Sequence, residues 1–222
     1  MLIPAEHLRA YPLLASLSDD ELAAIAPKIT KRAFAKGAYI YQPGSPGLNM
    51  YLVESGLVRM FFANQRGEEF LMNLVTPTDC FGTPLLMDNQ ARLVGAAAVR
   101  DTVVLALARE DVFDGMRRIP QFAVNIYVDI SNKMRLLGGY LHGVTTLSVQ
   151  GRLAKVFLHY SAPQTNELNL PISQGELAGM LASSRGRVNR ALANMQAQGL
   201  IRMDGQKIYI LDRAGLVKTS EV

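Results

Sequence analysis

The chain has 222 residues, of which 49% are hydrophobic and 19% charged, the composition of a globular protein with one large domain or two modest ones rather than of a disordered or fibrous chain. No apolar run approaches the roughly 18 to 20 residues that span a bilayer, and the single cysteine, Cys80, neither closes an internal disulfide nor supplies the four thiolates that an iron–sulfur cluster usually takes. The net charge of +4 is concentrated: residues 1–147 carry 14 Lys/Arg against 14 Asp/Glu, and residues 148–222 carry 9 against 5, the asymmetry expected when one domain meets a polyanion.

Met1 to Leu14 holds Glu6, Pro4 and Pro12 and lacks the basic start and apolar stretch of a secretory signal, so a cytoplasmic address is expected. Ser18 followed by Glu21 forms a capping box, with Leu22, Ile25 and Ile29 behind it at helical spacing, which predicts a short leading helix. Between about Lys31 and Ala108 the pattern changes to short β-rich runs, Ala38–Gln42, Leu48–Val53, Leu57–Ala63, Glu69–Val75 and Thr102–Ala108, punctuated by glycines. Runs of that length with frequent turn signals predict an all-β barrel or roll and disfavour βαβ units.

A second helix is expected near Arg109-Glu110-Asp111, and a long one from about Gln121 to Leu147. In the long helix Ala123, Tyr127, Ile130, Met134, Leu137, Leu141 and Val144 alternate spacings of four and three, the a/d seam by which helices pair, and two copies of the chain are expected to pair along it. A helix lying on its own β-domain is the alternative. Gly138-Gly139 permits close backbone approach or a bend.

The last third reads as a compact unit: a helix over Gly151–Tyr160, a loop over Pro163–Asn169, two short helices opening at Ser173 and at Ser183 or Ser184, and a hairpin of Leu200–Met203 and Gln206–Leu211 turning at Asp204-Gly205. Two helices joined so tightly and followed by a β-wing describe a winged helix-turn-helix. On the second helix Val188, Leu192 and Met195 share one stripe, while Gly186, Asn189, Arg190 and Ala193 fall opposite, with Arg185 and Arg187 flanking. Three arginines and no acid between Ser183 and Gln198 suit the major groove, where arginine makes two bonds to guanine O6 and N7. Ser184, Arg185, Arg187, Asn189 and Arg190 are therefore the expected DNA-binding residues, with Lys207 on the wing; Lys207 and Arg202 read equally as phosphate contacts or as solubilising charges.

Almost the whole chain resembles the CRP/FNR family of bacterial transcription regulators. The resemblance rests on Leu17-Ser18-Asp19-Asp20-Glu21-Leu22, Lys36-Gly37, Pro43-Gly44 and Pro46-Gly47, then Tyr51-Leu52-Val53-Glu54-Ser55-Gly56-Leu57-Val58 and Phe81-Gly82. It continues with Arg109-Glu110-Asp111, Gly151-Arg152-Leu153-Ala154 and Ser184-Arg185-Gly186-Arg187-Val188-Asn189-Arg190. It implies an α+β architecture: a double-stranded β-helix (jelly-roll or β-roll) sensor domain over residues 1–118, a dimerisation helix over 119–147, and a winged helix-turn-helix over 148–222. The implied seam is Tyr127, Ile130, Met134, Leu137, Leu141 and Val144, and the implied partners are palindromic double-stranded DNA, a second copy, RNA polymerase and a small effector, with no membrane.

Carried over by position, Arg185 and Arg190 match the family's base-reading arginines, while the glutamate between them is Gly186 here. The resemblance places an effector pocket at Gly82, Thr83, Arg92, Leu93, Leu137 and Tyr140. In cAMP-responsive members a glutamate holds the ribose, an Arg-Ser pair the cyclic phosphate and a Thr-Ser pair the adenine. Here those positions read Thr83, Arg92-Leu93 and Leu137-Gly138, a loss of several bonds at roughly 0.5 to 3 kcal/mol each that disfavours cAMP. Arg92 remains able to bind another anion or to pair with Asp88.

His7, His142 and His159 are too scattered to support a haem or a metal site. Cys80 reads as a structural thiol because no basic residue is adjacent in sequence. No Ser/His/Asp or paired-carboxylate constellation points to an enzyme. The expected function is therefore a homodimeric, sequence-specific transcription regulator, constitutively competent or controlled by an effector other than cAMP, with hinges at Gly138-Gly139 and Gly143–Val149. A ligand-binding or interaction module that has lost specific DNA binding is the alternative that Gly186 raises.

Overall fold

The computed structural model describes residues 3–83, 90–161, 166–205 and 207–221, with Asn169 in its backbone only. The chain divides into two compact units, Met1–Met134 and Arg135–Val222, each considered by itself.

The first unit opens with α1 (Ala5–Leu8) and α2 (Asp19–Ile25). The capping box at α2 is formed: Glu21 N–H donates to Ser18 Oγ at 3.3 Å, and Ser18 N–H donates to the Glu21 carboxylate at 2.8 Å. Among the described residues eight strands follow: β1 (Ile29–Phe34), β2 (Tyr39–Tyr41), β3 (Asn49–Ser55), β4 (Val58–Ala63), β5 (Glu69–Val75), β6 (Cys80–Phe81), β7 (Gly95–Ala98) and β8 (Thr102–Ala108). They form two four-stranded antiparallel sheets, ordered β1-β8-β3-β6 and β2-β7-β4-β5.

The two periodic faces of β3 and β8 explain how this unit is held. Tyr51, Val53, Val104 and Ala106 point into a core shared with Tyr41, Val58, Met60, Val75, Phe81 and Ala96 between the sheets. Met50, Leu52, Leu105 and Leu107 point the other way, onto Leu8, Leu14, Leu17, Leu22 and the helices that follow the sheet. Both faces are buried, so these strands are continuously apolar rather than alternating.

Three strands lie where no strand was expected, β1, the two-residue β6 and β7. Edge strand β1 carries Thr30, Lys31, Arg32 and Ala33 exposed, so it lacks an apolar face. Strand β7 is Gly-Ala-Ala-Ala because the Phe61 ring lies against it: a Cβ on Gly95 would fall 2.2 Å from Phe61 Cζ. Small residues hide a strand from propensity.

Two helices leave the β8 strand, α3 (Arg109–Arg118) and the 27-residue α4 (Pro120–Thr146), with Pro120 at the first helical position, which its fixed φ suits. Phe122 and Ile126 are fully buried against the α1–α2 core, and Ile130 packs on the same cluster. The α4 helix runs unbroken through Gly138-Gly139, where an added Cβ would meet nothing.

In the second unit, α5 (Val149–Tyr160) is capped by Ser148, whose Oγ accepts from Gly151 N–H at 3.0 Å. Then come β9 (Glu167–Asn169), α6 (Gln174–Met180), α7 (Arg185–Ala197), β10 (Ile201–Asp204), β11 (Lys207–Ile210) and α8 (Arg213–Thr219). The wing is three-stranded, β10-β11-β9, which corrects the expected loop over Pro163–Asn169. Leu168, 2% exposed, pairs with Ile208 and makes a strand of a segment too short to show alternation. The hairpin turn is one residue later than expected, because Asp204 pairs with Lys207 and belongs to the strand.

Candidate nucleic-acid interface and effector pocket

Helix α7 is oriented by its apolar stripe. Val188, Leu192 and Met195 are at most 3% exposed and Ala191 is 7% exposed, so the opposite face must look outward. Arg185, Gly186, Arg187, Asn189, Arg190 and Ala193 are all on it and exposed. The cap is Ser184: its Oγ accepts from Arg187 N–H at 3.4 Å. Ser183 Oγ is buried without a partner. The third residue after the cap is thus Arg187, so no carboxylate completes a capping box at this helix. Gly199 has φ +69° and closes the helix in the left-handed region.

Preceding α7, α6 has its full capping box at Ser173 and Glu176. The turn between the helices is made by Ala182 at φ +45°, a non-glycine residue in the left-handed region, with Ala182 N–H donating to the Gly179 carbonyl and Ser183 N–H to the Ala178 carbonyl. On the wing, Lys207 Nζ lies 2.8 Å from Glu167 Oε1, a hydrogen bond that raises its pKa. Arg202 stacks 4.2 Å above the Tyr209 ring. Both wing cations are therefore engaged, whereas among the described residues Arg185, Arg187 and Arg190 make no side-chain bond within the chain.

In the first unit, the turn after β6 carries Gly82 at φ +83°, where an added Cβ would lie 2.9 Å from Arg92 Nη1. This close approach lets Arg92 Nη1 donate to the Gly82 carbonyl at 2.8 Å, while Nη2 donates to the Asn49 carbonyl and the guanidinium lies 4.3 Å above the Tyr41 ring. Arg92 is 3% exposed, its Nε has no acceptor, and no carboxylate contacts it among the described residues. Asp88, its expected alternative partner, lies outside the described residues. Leu93, next in sequence, is 68% exposed.

Thr83 is fully buried, and its hydroxyl accepts from Lys133 Nζ at 3.3 Å. The same ammonium meets Asp129 at 2.5 Å and Cys80 Sγ at 3.4 Å, and the thiol donates to Asp129 at 3.1 Å. A cation does stand beside Cys80, contrary to the expectation from sequence, because α4 supplies it from 53 residues away. Burial nonetheless pushes the thiol up to about 12, Lys133 opposing and Asp129 adding.

Residues 31–118 match the model of the cyclic nucleotide-binding domain, and residues 151–219 match that of the Crp-like helix-turn-helix domain. The chain is 29% identical over 207 residues to the cyclic AMP receptor protein of Thermus thermophilus, covering 93% of this chain and 95% of that one. It is 24% identical over 219 residues to the CRP-like cAMP-activated global transcriptional regulator of Mycobacterium tuberculosis, covering 96% and 98%. In fold it resembles FixK2 from Bradyrhizobium japonicum, with a TM-score of 0.77 at 21% identity over 86% of this chain and 96% of that one. The chain belongs to the CRP/FNR family. It is a DNA-binding transcription regulator of that type.

In this CRP/FNR regulator the expected seam residues of α4 do not behave alike. Tyr127, Met134, Leu137 and Leu141 are between 57% and 71% exposed, Val144 is half-buried, and Ile130 packs on its own unit's core. Val124, Val128, Leu136 and Tyr140 are further exposed apolar residues, broader than an a/d seam. The histidines lie apart: His7 on Glu54 at 3.1 Å, His142 beside Thr146, His159 against Tyr160. Sequence reasoning missed Lys133 and Asp129; their i,i+4 spacing on the predicted helix was the available signal.

Proposed function

We propose that this regulator acts as a homodimer paired along α4, sets two α7 helices into successive major grooves of a palindromic operator, and answers to a small anionic effector other than cAMP. It works by binding rather than by catalysis, in the cytoplasm, with RNA polymerase as its downstream partner. No helix among the described residues is long and apolar enough to cross a membrane. The observation that carries the reading is the outward face of α7, where three uncommitted arginines project from a helix fixed by Val188, Leu192 and Met195.

The anionic effector is argued from Arg92. Among the described residues this guanidinium is removed from water and held by carbonyls and a ring, and an anion delivered to its unpartnered Nε would stabilise it. Cyclic AMP fits the remaining residues poorly. Thr83 offers no carboxylate to a ribose and its hydroxyl is engaged by Lys133, while Leu93 supplies no hydroxyl to a phosphate.

Mobility shift on a pool of random duplexes tests the DNA reading: a selected motif and a salt-dependent affinity are expected, each phosphate contact adding about −0.9 to the log–log slope. No selected motif, or a flat salt response, rejects it. Native mass spectrometry of freshly purified protein reports subunit number and the mass of any retained ligand together.

A further inference from the structure

We infer that Asn189 reads an adenine, so that each operator half-site carries an A·T pair between two G·C pairs contacted by Arg185 and Arg190. The inference rests on the reading of α7 as the DNA-reading helix and adds to it the identity of a base pair.

Residues of an α-helix advance about 100° and 1.5 Å each. With Arg185 at zero, Asn189 falls at about 40°, Ala193 at about 80°, Gly186 at about 100° and Arg190 at about 140°. The outward face is thus bounded by two arginines, and its midline holds no side chain at Gly186 and only a methyl at Ala193. Within 186–193 Asn189 is the one side chain between the arginines that bears hydrogen-bonding atoms. A Cβ built on Gly186 would meet nothing within 4 Å, so the gap opens directly onto whatever the helix face meets.

Arg185 and Arg190 are five residues apart, about 7.5 Å along the axis, which matches two base steps of about 3.4 Å and leaves one pair between their guanines. At that pair Gly186 provides no acceptor for a cytosine amino group. Asn189 stands about 6 Å along the axis from Arg185, and a side chain leaning toward the helix N-terminus carries its one donor and one acceptor, the complement of adenine N6 and N7, back over that pair. Its side chain is exposed, and among the described residues its amide is not bonded within the chain, so no internal bond is surrendered on binding. Arg187, at about 200°, points away from this line toward the phosphates.

Selection of the full-length protein against random duplexes, followed by sequencing, tests the inference with wild type and Asn189→Ala side by side. Wild type is expected to enrich two guanine columns with adenine between them, and replacement of that A·T pair by G·C should weaken its binding roughly 5- to 150-fold per half-site. Asn189→Ala should keep the guanine columns, which show that it is folded, and bind both operators equally. A degenerate middle column in wild type, an adenine preference that survives in Asn189→Ala, or loss of every column together in that variant overturns the inference while the DNA reading stands. Absence of any enriched motif in wild type removes both.

Discussion

The Lys133 ammonium lies 3.3 Å from the Thr83 hydroxyl, joining the long helix α4 to the turn after β6 across 50 residues of sequence. The contact places a charge-bearing network one residue from Gly82, whose carbonyl holds Arg92. Because the ammonium also engages Asp129 and Cys80, its three donors are all used, and the network acts as a fastening rather than as an anion receptor. Among the described residues Arg92 keeps a buried donor, its Nε, without an acceptor.

The fastening has a pH signature. Burial holds the Cys80 thiol up to about 12 in the folded state, against about 8.5 in an unfolded chain. A folded-state pKa above the unfolded one contributes stability that is whole below the unfolded value and is lost as pH rises toward the folded value. Tyr11, also raised to about 12 by burial and then by Glu54, adds its loss only above about pH 10. Urea unfolding of wild type should therefore lose about 1 kcal/mol more than Cys80→Ser between about pH 9 and 10. Equal slopes in the two proteins would show that the thiol does not titrate abnormally.

Replacing Arg190 with alanine should weaken specific operator binding by about 1 to 3 kcal/mol per half-site and leave subunit association intact. The residue is exposed, so the melting temperature of the variant should match wild type. Unchanged operator affinity would remove Arg190 from the reading face.

Glu167→Gln addresses the wing. In the native chain Lys207 is paired with Glu167 at 2.8 Å, which withholds it from phosphate. Neutralising the carboxylate should strengthen non-specific duplex binding and steepen the salt slope by about one per subunit. A slope identical to wild type would mean that Lys207 stays clear of DNA.

Legibility in the sequence followed the physics of each element. The helix starts were legible wherever a side chain makes the cap, as at Ser18 and Ser173, because the two partners are three residues apart. Strands β5 and β8 have the bounds their apolar runs suggested. Strands β1, β7 and β9 were hidden: one is polar because it is an edge, one is small because Phe61 fills its space, and one exists only through its register with β11. At the α7 face a single stripe of buried residues fixes the direction of all the others, so the exposed arginines could be placed from periodicity alone. The pocket was legible at Arg92 by position, but its environment was not. Lys133 and Asp129 come from a distant helix, and contact across 50 residues leaves no local pattern.

Leu137→Asp should break the proposed dimer. Leu137 is 57% exposed in the single chain, on the helix that also exposes Met134 and Leu141, so a second copy would bury all three. Burying a carboxylate twice in an apolar interface without partners costs several kcal/mol. Sedimentation of the variant should report a monomer whose far-UV spectrum is unchanged, and a variant that remains dimeric places the pairing elsewhere on the chain.

The turn between α6 and α7 carries a local strain that can be relieved. Ala182 holds φ +45°, a region that costs an L-residue about 1 to 2 kcal/mol because its Cβ crowds the backbone. Glycine escapes that crowding and gives back part of the gain, about 0.5 to 1 kcal/mol, through its freer unfolded chain. Ala182 is exposed, so no packing is lost with the methyl. Ala182→Gly should accordingly raise stability by up to about 1 kcal/mol in urea unfolding. Since the hydrogen bonds from Ala182 N–H to Gly179 and from Ser183 N–H to Ala178 fix the angle between the helices, and glycine retains both, operator affinity should not change. A destabilised Ala182→Gly protein would mean that the turn is held without strain.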